Sequence, residues 1–495
     1  MGIKRYFANK DNTITNAYTN NLLTRGTGSN MGASDILEAF VIHGQTSASI
    51  DAANAEQSRI IIQFPIDELT TDISNGVVPS SSLEYRLKLY NAPHAGTTPL
   101  SYSLKVEMLS QDWTEGRGLD MENYSDLGSS NWINRQIGSA WTNNGGQTHA
   151  GAINSSSYFF SLGTEDIDLD LNFAVSQWRS GAKSNYGLLL RNTDAAVSGT
   201  EGSFYTKKFF GRDSEYYFKR PVLEVRWDSG RKDNRGNFSV SSSALPDADN
   251  VNTLYLYNQS RGKLVNIPRI GTGVGETKNT LAVSIYSEKS NTATPITITD
   301  PNSGQLVTSV TGGILTENGI RHVSGTYTAS LACTSTETIL YDVWYSGSTQ
   351  FYTGTFSPEQ TSPLSLIYDT QYVTTITNLH SSYIKGQKPR LRVFARQKDW
   401  SPTIYTVATS EIVPTVINDA YYQLFRSIDN MEIIPFGTGS YNFTRLAYDV
   451  SGNYFDLDTS FLEPGYSYGI QFVYFLEGGY REQPEIFKFR VEEED

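Results

Sequence analysis

Leu83–Tyr90, LEYRLKLY, places Leu83, Tyr85, Leu87 and Leu89 on one side of an extended chain and Glu84, Arg86, Lys88 and Tyr90 on the other. Successive side chains of a strand point to opposite faces, so a period of two predicts a half-buried strand in an antiparallel sheet. Tyr102–Met108 repeats the pattern, and Leu223, Val225 and Trp227 oppose Glu224 and Arg226. Ile60–Phe64 (IIIQF) is apolar without alternation, which suits a central strand covered on both faces. Two short helices interrupt the strands. Ile66–Ser74 opens after Pro65 and stops before Asn75-Gly76. In Asp170–Gly181, Leu171, Val175 and Trp178 fall at helical spacing, Asp170 or Asn172 can cap the start, and Gly181 suits the stop. The predicted class is all-β.

A chain of 495 residues is too long for one core, which predicts two to four domains. Hydrophobic residues make up 38%, charged residues 18% and aromatics 12% of it, too apolar for a disordered chain. No segment has the length of a membrane span, and Tyr6 stands where a myristoylation signal needs Ser or Thr, so membrane insertion is not expected. A formal charge of −13 argues against a nucleic-acid partner. Met1–Thr15 carries no apolar run of signal-peptide length. The expectation is therefore an ectodomain-like chain that leaves the cell by lysis, as part of a virus particle. Cys333 is the single cysteine and is expected in the core with Tyr327, Ala329 and Leu331. The five histidines make no metal-ligand spacing, so no zinc is expected.

Residues 1–228 read as one long sandwich. The turn-rich stretch Asp228–Asn237 (DSGRKDNRGN) opens a linker over residues 229–251. A second sandwich over 252–358 has strands Thr253–Tyr257, Thr280–Tyr286, Ile296–Thr299, Gly325–Cys333 and Thr338–Tyr345. Pro301–Gly304, Gly312-Gly313 and Asn318-Gly319 are its turns. A third sandwich over 360–495 has hairpins at Asp429-Asn430, Ser451–Asn453 and Gly478-Gly479. Its heptad Leu462–Tyr468 (LEPGYSY) resembles the tyrosine corner of fibronectin type III and related sandwiches. That resemblance implies Leu462 in the core, a turn at Pro464-Gly465, and a Tyr468 hydroxyl bonded back to the corner backbone. The architecture expected is tandem β-sandwiches, a jelly-roll-like domain followed by two immunoglobulin-like domains.

Chemistry is sparse. Gly271–Gly275 (GTGVG) lacks the spacing of a phosphate loop and reads as a turn. Asp166, Asp168 and Asp170 alternate with apolar residues, a solvated face or, as the sharper alternative, a Ca²⁺ site; no other cofactor is expected. Trp113, Trp132 and Trp141 lie in a loop-rich stretch, where they either pack the loops or offer a glycan platform. Gln147-Thr148-His149 is unaccompanied by a Tyr/Lys acid–base strand, so lyase activity is not expected, and no nucleophile triad or carboxylate pair is argued. From Lys207 to Arg235 there are nine Lys/Arg against five Asp/Glu, and from Leu446 to Asp495 eleven acids against three bases. Both are solvated faces or, alternatively, subunit contacts. The contact expected is built on Lys207, Lys208, Phe209, Phe210, Arg212, Tyr216, Tyr217 and Phe218.

Phe7–Ile14, Ser58–Leu69, Trp113–Gly116 (WTEG), Ala140–Gly146 (AWTNNGG), Trp178–Gly181, Tyr186–Leu190 and Arg220–Trp227 follow one another in an order that resembles the DNRLRE-type β-sandwich family, which is related to alginate-binding carbohydrate modules. Ile61 replaces a family leucine, and an insertion at Phe40–Gln57 interrupts the early strands. Similar domains occur in structural proteins of tailed phages, and the closing segment of the chain looks like the C-terminal domain of those proteins. The resemblance implies a non-enzymatic virion component of the tail, neck, baseplate, fibre attachment or capsid surface. Its partners are then other virion proteins, in an oligomeric arrangement. The alternatives are a host-surface glycan adhesin and, behind it, a polysaccharide lyase.

Overall fold

The structure, a computed structural model, describes residues 2–43, 55–94, 99–120, 125–198, 204–271, 280–289, 293–359, 371–398, 414–437 and 442–494. Most of Gly271–Gly275 and of the Phe40–Gln57 insertion lies outside the described residues. The chain divides into two compact units. One comprises Ile3–Ser74 and Leu83–Arg226; the other comprises Met1–Gly2, Asn75–Ser82 and Trp227–Asp495.

The first unit is built from β1 (Ile3–Phe7), β2 (Lys10–Thr15), β3 (Ile36–Ile42), β4 (Glu56–Gln63), β5 (Glu84–Leu89), β6 (Tyr102–Met108), β7 (Asn134–Gln136), β8 (Ser139–Ala140), β9 (Ser155–Phe160), β10 (Ile167–Asp170), β11 (Leu188–Asn192), β12 (Phe204–Phe210) and β13 (Val222–Arg226). Two antiparallel sheets result: β1-β13-β5-β10, and β12-β3-β4-β11-β6-β9 with β2 added on β4. Helices α1 (Ile66–Ser74) and α2 (Asn172–Arg179) bury Ile66, Leu69 and Ile73, and Ala174, Val175 and Trp178. Both helices fall where the sequence places them, but the N-cap position of α2 is Leu171, which makes no side-chain cap; Asp170 accepts the Asn172 N–H at 2.7 Å from one residue further back. A third short helix, α3, spans Asp194–Ser198.

The charged face of β5 meets charge on both neighbouring strands. Cross-strand pairing sets Arg5 opposite Glu224 and Glu224 opposite Arg86, with Arg226 opposite Glu84. Glu224 is fully buried, 2.7 Å from Arg5 and 2.6 Å from Arg226. Burial alone raises a carboxyl pKa, but the two guanidinium groups outweigh it and hold Glu224 at about 2.

In the second unit the second sandwich comprises β14 (Phe238–Ser239), β15 (Asn252–Tyr257), β16 (Gln259–Ser260), β17 (Lys263–Leu264), β18 (Thr280–Tyr286), β19 (Ile298–Thr299), β20 (Leu306–Val307), β21 (Val310–Glu317), β22 (Arg321–Leu331), β23 (Tyr341–Ser346), β24 (Thr349–Thr353) and β25 (Pro358–Glu359). A six-stranded antiparallel sheet, β15-β22-β21-β18-β23-β24, is accompanied by three two-stranded pairs. Its core gathers Leu254, Val283, Tyr327, Ala329, Leu331, Cys333, Trp344 and Phe356. Gly312-Gly313 is not a turn: it lies within β21. A Cβ on Gly312 would come within 3.1 Å of the Trp344 ring, so the glycine lets the strand pass over the indole.

The third sandwich comprises β26 (Tyr372–Ile376), β27 (Ser382–Ile384), β28 (Arg390–Gln397), β29 (Ala420–Arg426), β30 (Met431–Ile434), β31 (Ala447–Asp449), β32 (Gly452–Asp456), β33 (Ser467–Leu476) and β34 (Gly479–Glu492). Its sheets run β26-β28-β32-β31 and β27-β34-β33-β29-β30, with β27 parallel to β34. In immunoglobulin lettering this is A-B-E-D against A′-G-F-C-C′. Between the sheets Tyr422 stacks on Phe455 with centroids 4.5 Å apart. At the E–F corner Leu462 is buried and Gly465 has φ +86°. The Tyr468 hydroxyl donates to the Glu463 carbonyl at 2.7 Å and accepts the Glu463 N–H at 3.0 Å. The tyrosine corner is formed.

Tyr468→Phe leaves both backbone groups of Glu463 without that partner. It is expected to lower stability by about 1–3 kcal/mol in urea unfolding with unchanged far-UV circular dichroism. A pH effect follows from Glu224. Its pKa lies below that of the unfolded chain, so its stabilisation is full above the ordinary glutamate range and is lost as pH falls toward about 2. Melting temperature is expected to fall through that window, and Glu224→Gln to flatten this part of the acid limb.

Candidate functional site

None of the three tryptophans proposed as a glycan platform presents an open ring. Trp113, Trp132 and Trp141 are 1%, 7% and 4% exposed and cluster with Ile14, Ile61, Leu109 and Leu189. Two of the indole N–H groups are used inside the protein: Trp113 donates to the Tyr186 carbonyl and Trp141 to the Asn131 carbonyl, both at 2.9 Å. The Arg59 guanidinium sits 4.8 Å from the Trp132 ring. Loops rich in Asn and Gly fold these rings over the outer side of the sheet, and Asn30 locks the turns by accepting the Gly118 N–H at 2.9 Å. The packing reading replaces the platform.

The three aspartates do not gather around a metal. Asp168 is paired with Arg86 at 2.6 Å and Lys88 at 2.8 Å. Asp166 accepts the Asn91 N–H, and Asp170 accepts that of Asn172. Among the described residues no group of three His, Cys, Asp or Glu is placed to hold a metal ion.

The segment expected to meet other subunits is largely turned inward. Lys207 is buried, and its ammonium donates to Asn91 Oδ1 at 2.6 Å and to the Gly163 and Glu165 carbonyls at 3.1 and 2.7 Å. Burial pushes its pKa down to about 8. Phe209, Phe210 and Phe218 are core residues, and Lys208 and Arg212 face Glu38 and Glu115 at 3.7 and 3.0 Å. Tyr217 is half-buried against Phe7. Of the eight residues, Tyr216 alone is open, at 51%. The local positive charge is absorbed inside the fold.

What sequence reading missed lies in the second unit, where a linker was expected. Asp233 and Arg235 are buried there. The Asp233 N–H donates to the Tyr448 carbonyl of the third sandwich at 3.0 Å, and the Asn234 N–H to the Thr253 carbonyl of the second at 2.9 Å. Arg235 clasps Asp233 through Nε at 3.2 Å and Nη2 at 2.8 Å, donates to the Tyr255 carbonyl, and lies 3.7 Å from Asp342. Asp342 in turn accepts the Trp344 indole N–H at 2.7 Å. One guanidinium thus serves two buried carboxylates, and the segment ties both sandwiches into one body. No local pattern signals this, because a short polar run reads alike whether solvated or buried.

Beside this joint runs a polar cleft made of adjoining cavities of about 340, 480 and 300 Å³. Arg390 holds Asp456 bidentately at 2.8 and 3.1 Å, and Arg392 holds Asp449 at 2.8 and 2.7 Å. Both guanidinium groups lie over the Tyr454 ring, at 4.6 and 4.8 Å. Arg231 pairs with Glu317, and Lys388 with Asp458.

Burial pushes the Asp233 carboxyl up to about 6 although Arg235 is bound to it. A carboxyl whose folded pKa lies above its unfolded value favours the folded state at low pH, and that preference fades as pH rises through about 6. Raising pH from 5 to 8 is expected to remove about 1.4 kcal/mol of stability from this source, the part of the shift that lies above pH 5. Asp342→Asn, which removes the like charge beside Asp233, is expected to shrink the loss in pH-dependent thermal unfolding.

No family model matches the chain, and no match was found among curated proteins. Among solved structures the chain is similar to the fibronectin(III)-like modules of Clostridium thermocellum CbhA, at 10% identity over 54% of this chain and 93% of that one, with a TM-score of 0.15. It is also similar to Escherichia coli alpha-2-macroglobulin in its native conformation, at 12% identity over 93% of this chain and 20% of that one, with a TM-score of 0.17. A third is Salmonella alpha-2-macroglobulin reacted with methylamine, at 10% identity over 93% and 21%, with a TM-score of 0.15. The chain spans about a fifth of the macroglobulins it matches. These scores carry no argument of their own; the assignment to tandem, immunoglobulin-like β-sandwiches rests on the sheets and corner described above.

Proposed function

We propose that the chain is a non-enzymatic structural component of a tailed-phage particle, made in the host cytoplasm, released by lysis and acting through contacts with other virion proteins. The observation that carries this reading is the buried segment around Asp233–Arg235, ion-paired to Asp342 of the second sandwich and hydrogen-bonded to Tyr448 of the third, an arrangement that suits a particle under mechanical stress. Burying such a charge cluster is a poor route to stability but fixes one geometry, because an unmatched alternative leaves an uncompensated buried ion.

The first unit is, on this reading, a divergent DNRLRE-type sandwich. Its support is that two of the resembling stretches, Phe7–Ile14 and Trp113–Gly116, meet and are bridged by Arg212. The Asp11 N–H donates to Glu115 of the WTEG turn at 2.8 Å, Asp11 accepts the Arg212 N–H at 2.6 Å, and Arg212 reaches Glu115 at 3.0 Å. With the 207–218 segment largely internal, the apolar side chains left in solvent on β33 and β34 (Phe475, Tyr480 and Ile486) are the better surface for neighbours.

Mass spectrometry of gradient-purified particles from the phage that encodes this chain is expected to find it in fixed proportion to the major structural proteins. Its absence from infectious particles, or its export by uninfected cells carrying the gene, overturns the reading.

A further inference from the structure

The cleft beside the joint has a charge pattern that selects among ligands. Its lining holds seven Arg/Lys and six Asp/Glu, nearly balanced in a chain of net charge −13. Each of the seven cations has a carboxylate within ion-pair distance. An anionic ligand meets six carboxylates there and a cationic one seven cations, so neither gains without breaking existing pairs. An apolar ligand strips water from charges and returns no hydrogen bond. A neutral polyol fits. Vicinal hydroxyls accept from a guanidinium and donate to its carboxylate side by side, leaving each ion pair intact. Part of the lining is open to such a ligand: Tyr352 is 39% exposed, and the Arg390 and Asp456 side chains are 39% and 41% exposed. Tyr257 adds a second phenol ring. The three cavities share lining residues in sequence. Arg231, Glu317, Arg321, Lys388 and Asp456 join the first to the second, and Tyr257, Leu264 and Arg390 join the second to the third, which makes the cleft elongated.

From this arrangement we infer that the cleft at the junction of the second and third sandwiches is a binding groove for a neutral oligosaccharide, stacked on Tyr352 and held by the Arg390–Asp456 and Arg392–Asp449 pairs. The inference is independent of the virion reading. Presence in particles tests that reading, and saccharide binding by the isolated full chain tests this one.

The experiment titrates the purified full-length chain with cellohexaose, maltohexaose, chitohexaose and mannohexaose, with a galacturonate hexamer as the acidic comparison. Binding is followed by calorimetry, and hydrogen exchange locates it. The expected result is millimolar or tighter binding of at least one neutral saccharide, with slowed exchange in Thr349–Thr353 and Arg390–Gln397. Tyr352→Ala and Arg390→Gln are each expected to weaken it by about tenfold or more while the melting profile stays cooperative. Hydrogen exchange on the unaltered chain keeps the test valid if either variant unfolds. Binding to none of the four, binding to the acidic hexamer alone, protection elsewhere in the chain, or protection of these strands by another particle protein in place of saccharide overturns the inference.

Discussion

Arg235, removed from water between two carboxylates, sets the organisation of the second unit. An isolated guanidinium is too costly to bury, so the fold that buries it must deliver acceptors from fixed directions. Asp233 comes from the same short segment, Asp342 from β23 of the second sandwich, and the Tyr255 carbonyl from β15. The neighbouring backbone bridges to the third sandwich at Tyr448. If the second sandwich shifted, acceptors would be withdrawn from a charge that water cannot reach, while the third is held to the same segment through the Tyr448 backbone. The segment behaves as a clasp, and its polarity is what makes it one.

The first unit answers a different constraint. A sheet whose central strands read Ile60-Ile61-Ile62 and Leu188-Leu189-Leu190 exposes apolar side chains on both faces and must cover both. The Trp113, Trp132 and Trp141 loops supply the cover of one apolar side, through Ile61 and Leu189. Among the described residues these loops hold little regular structure beyond the short β7–β8 hairpin and a 3-10 turn at Ala152–Asn154. They rely on side chains such as Asn30, Asn131 and Asp126 to satisfy backbone groups that a buried loop cannot leave bare.

Much of the fold was legible wherever one local rule acted alone. Tyr102–Met108 and Thr280–Tyr286 are strands over the residues that alternation marks, and Ile66–Ser74 is the helix that Pro65 and Asn75-Gly76 bracket. The tyrosine corner was readable because its turn, core residue and hydroxyl lie within seven positions. Legibility failed where a distant group decided the outcome. Gly312-Gly313 has turn composition, but the Trp344 ring needs a residue without Cβ in that strand. Lys207 reads as a surface cation, yet carbonyls at Gly163 and Glu165 draw it inward. For the tryptophans the packing alternative is the one the structure shows: apolar runs without alternation at Ile60–Ile62 and Leu188–Leu190 imply a cover over the second face, and the aromatic loops supply it. The Asp233–Arg235 clasp left no comparable trace.

The clasp and the cleft are also not separable. Tyr352 lines the open groove while its hydroxyl accepts from Arg235 Nη1 at 3.3 Å, and the Arg235 guanidinium lies 5.6 Å from its ring. The same side chain therefore faces solvent on one side and the buried charge cluster on the other. Whatever packs on that ring limits its motion, and limiting it steadies a donor that holds two carboxylates in place. Coupling of this kind requires only that the occupied and empty grooves differ in how firmly Tyr352 is held. Tyr352 is thus the place where the buried ion cluster meets the open groove, one phenol ring at the edge of a sheet.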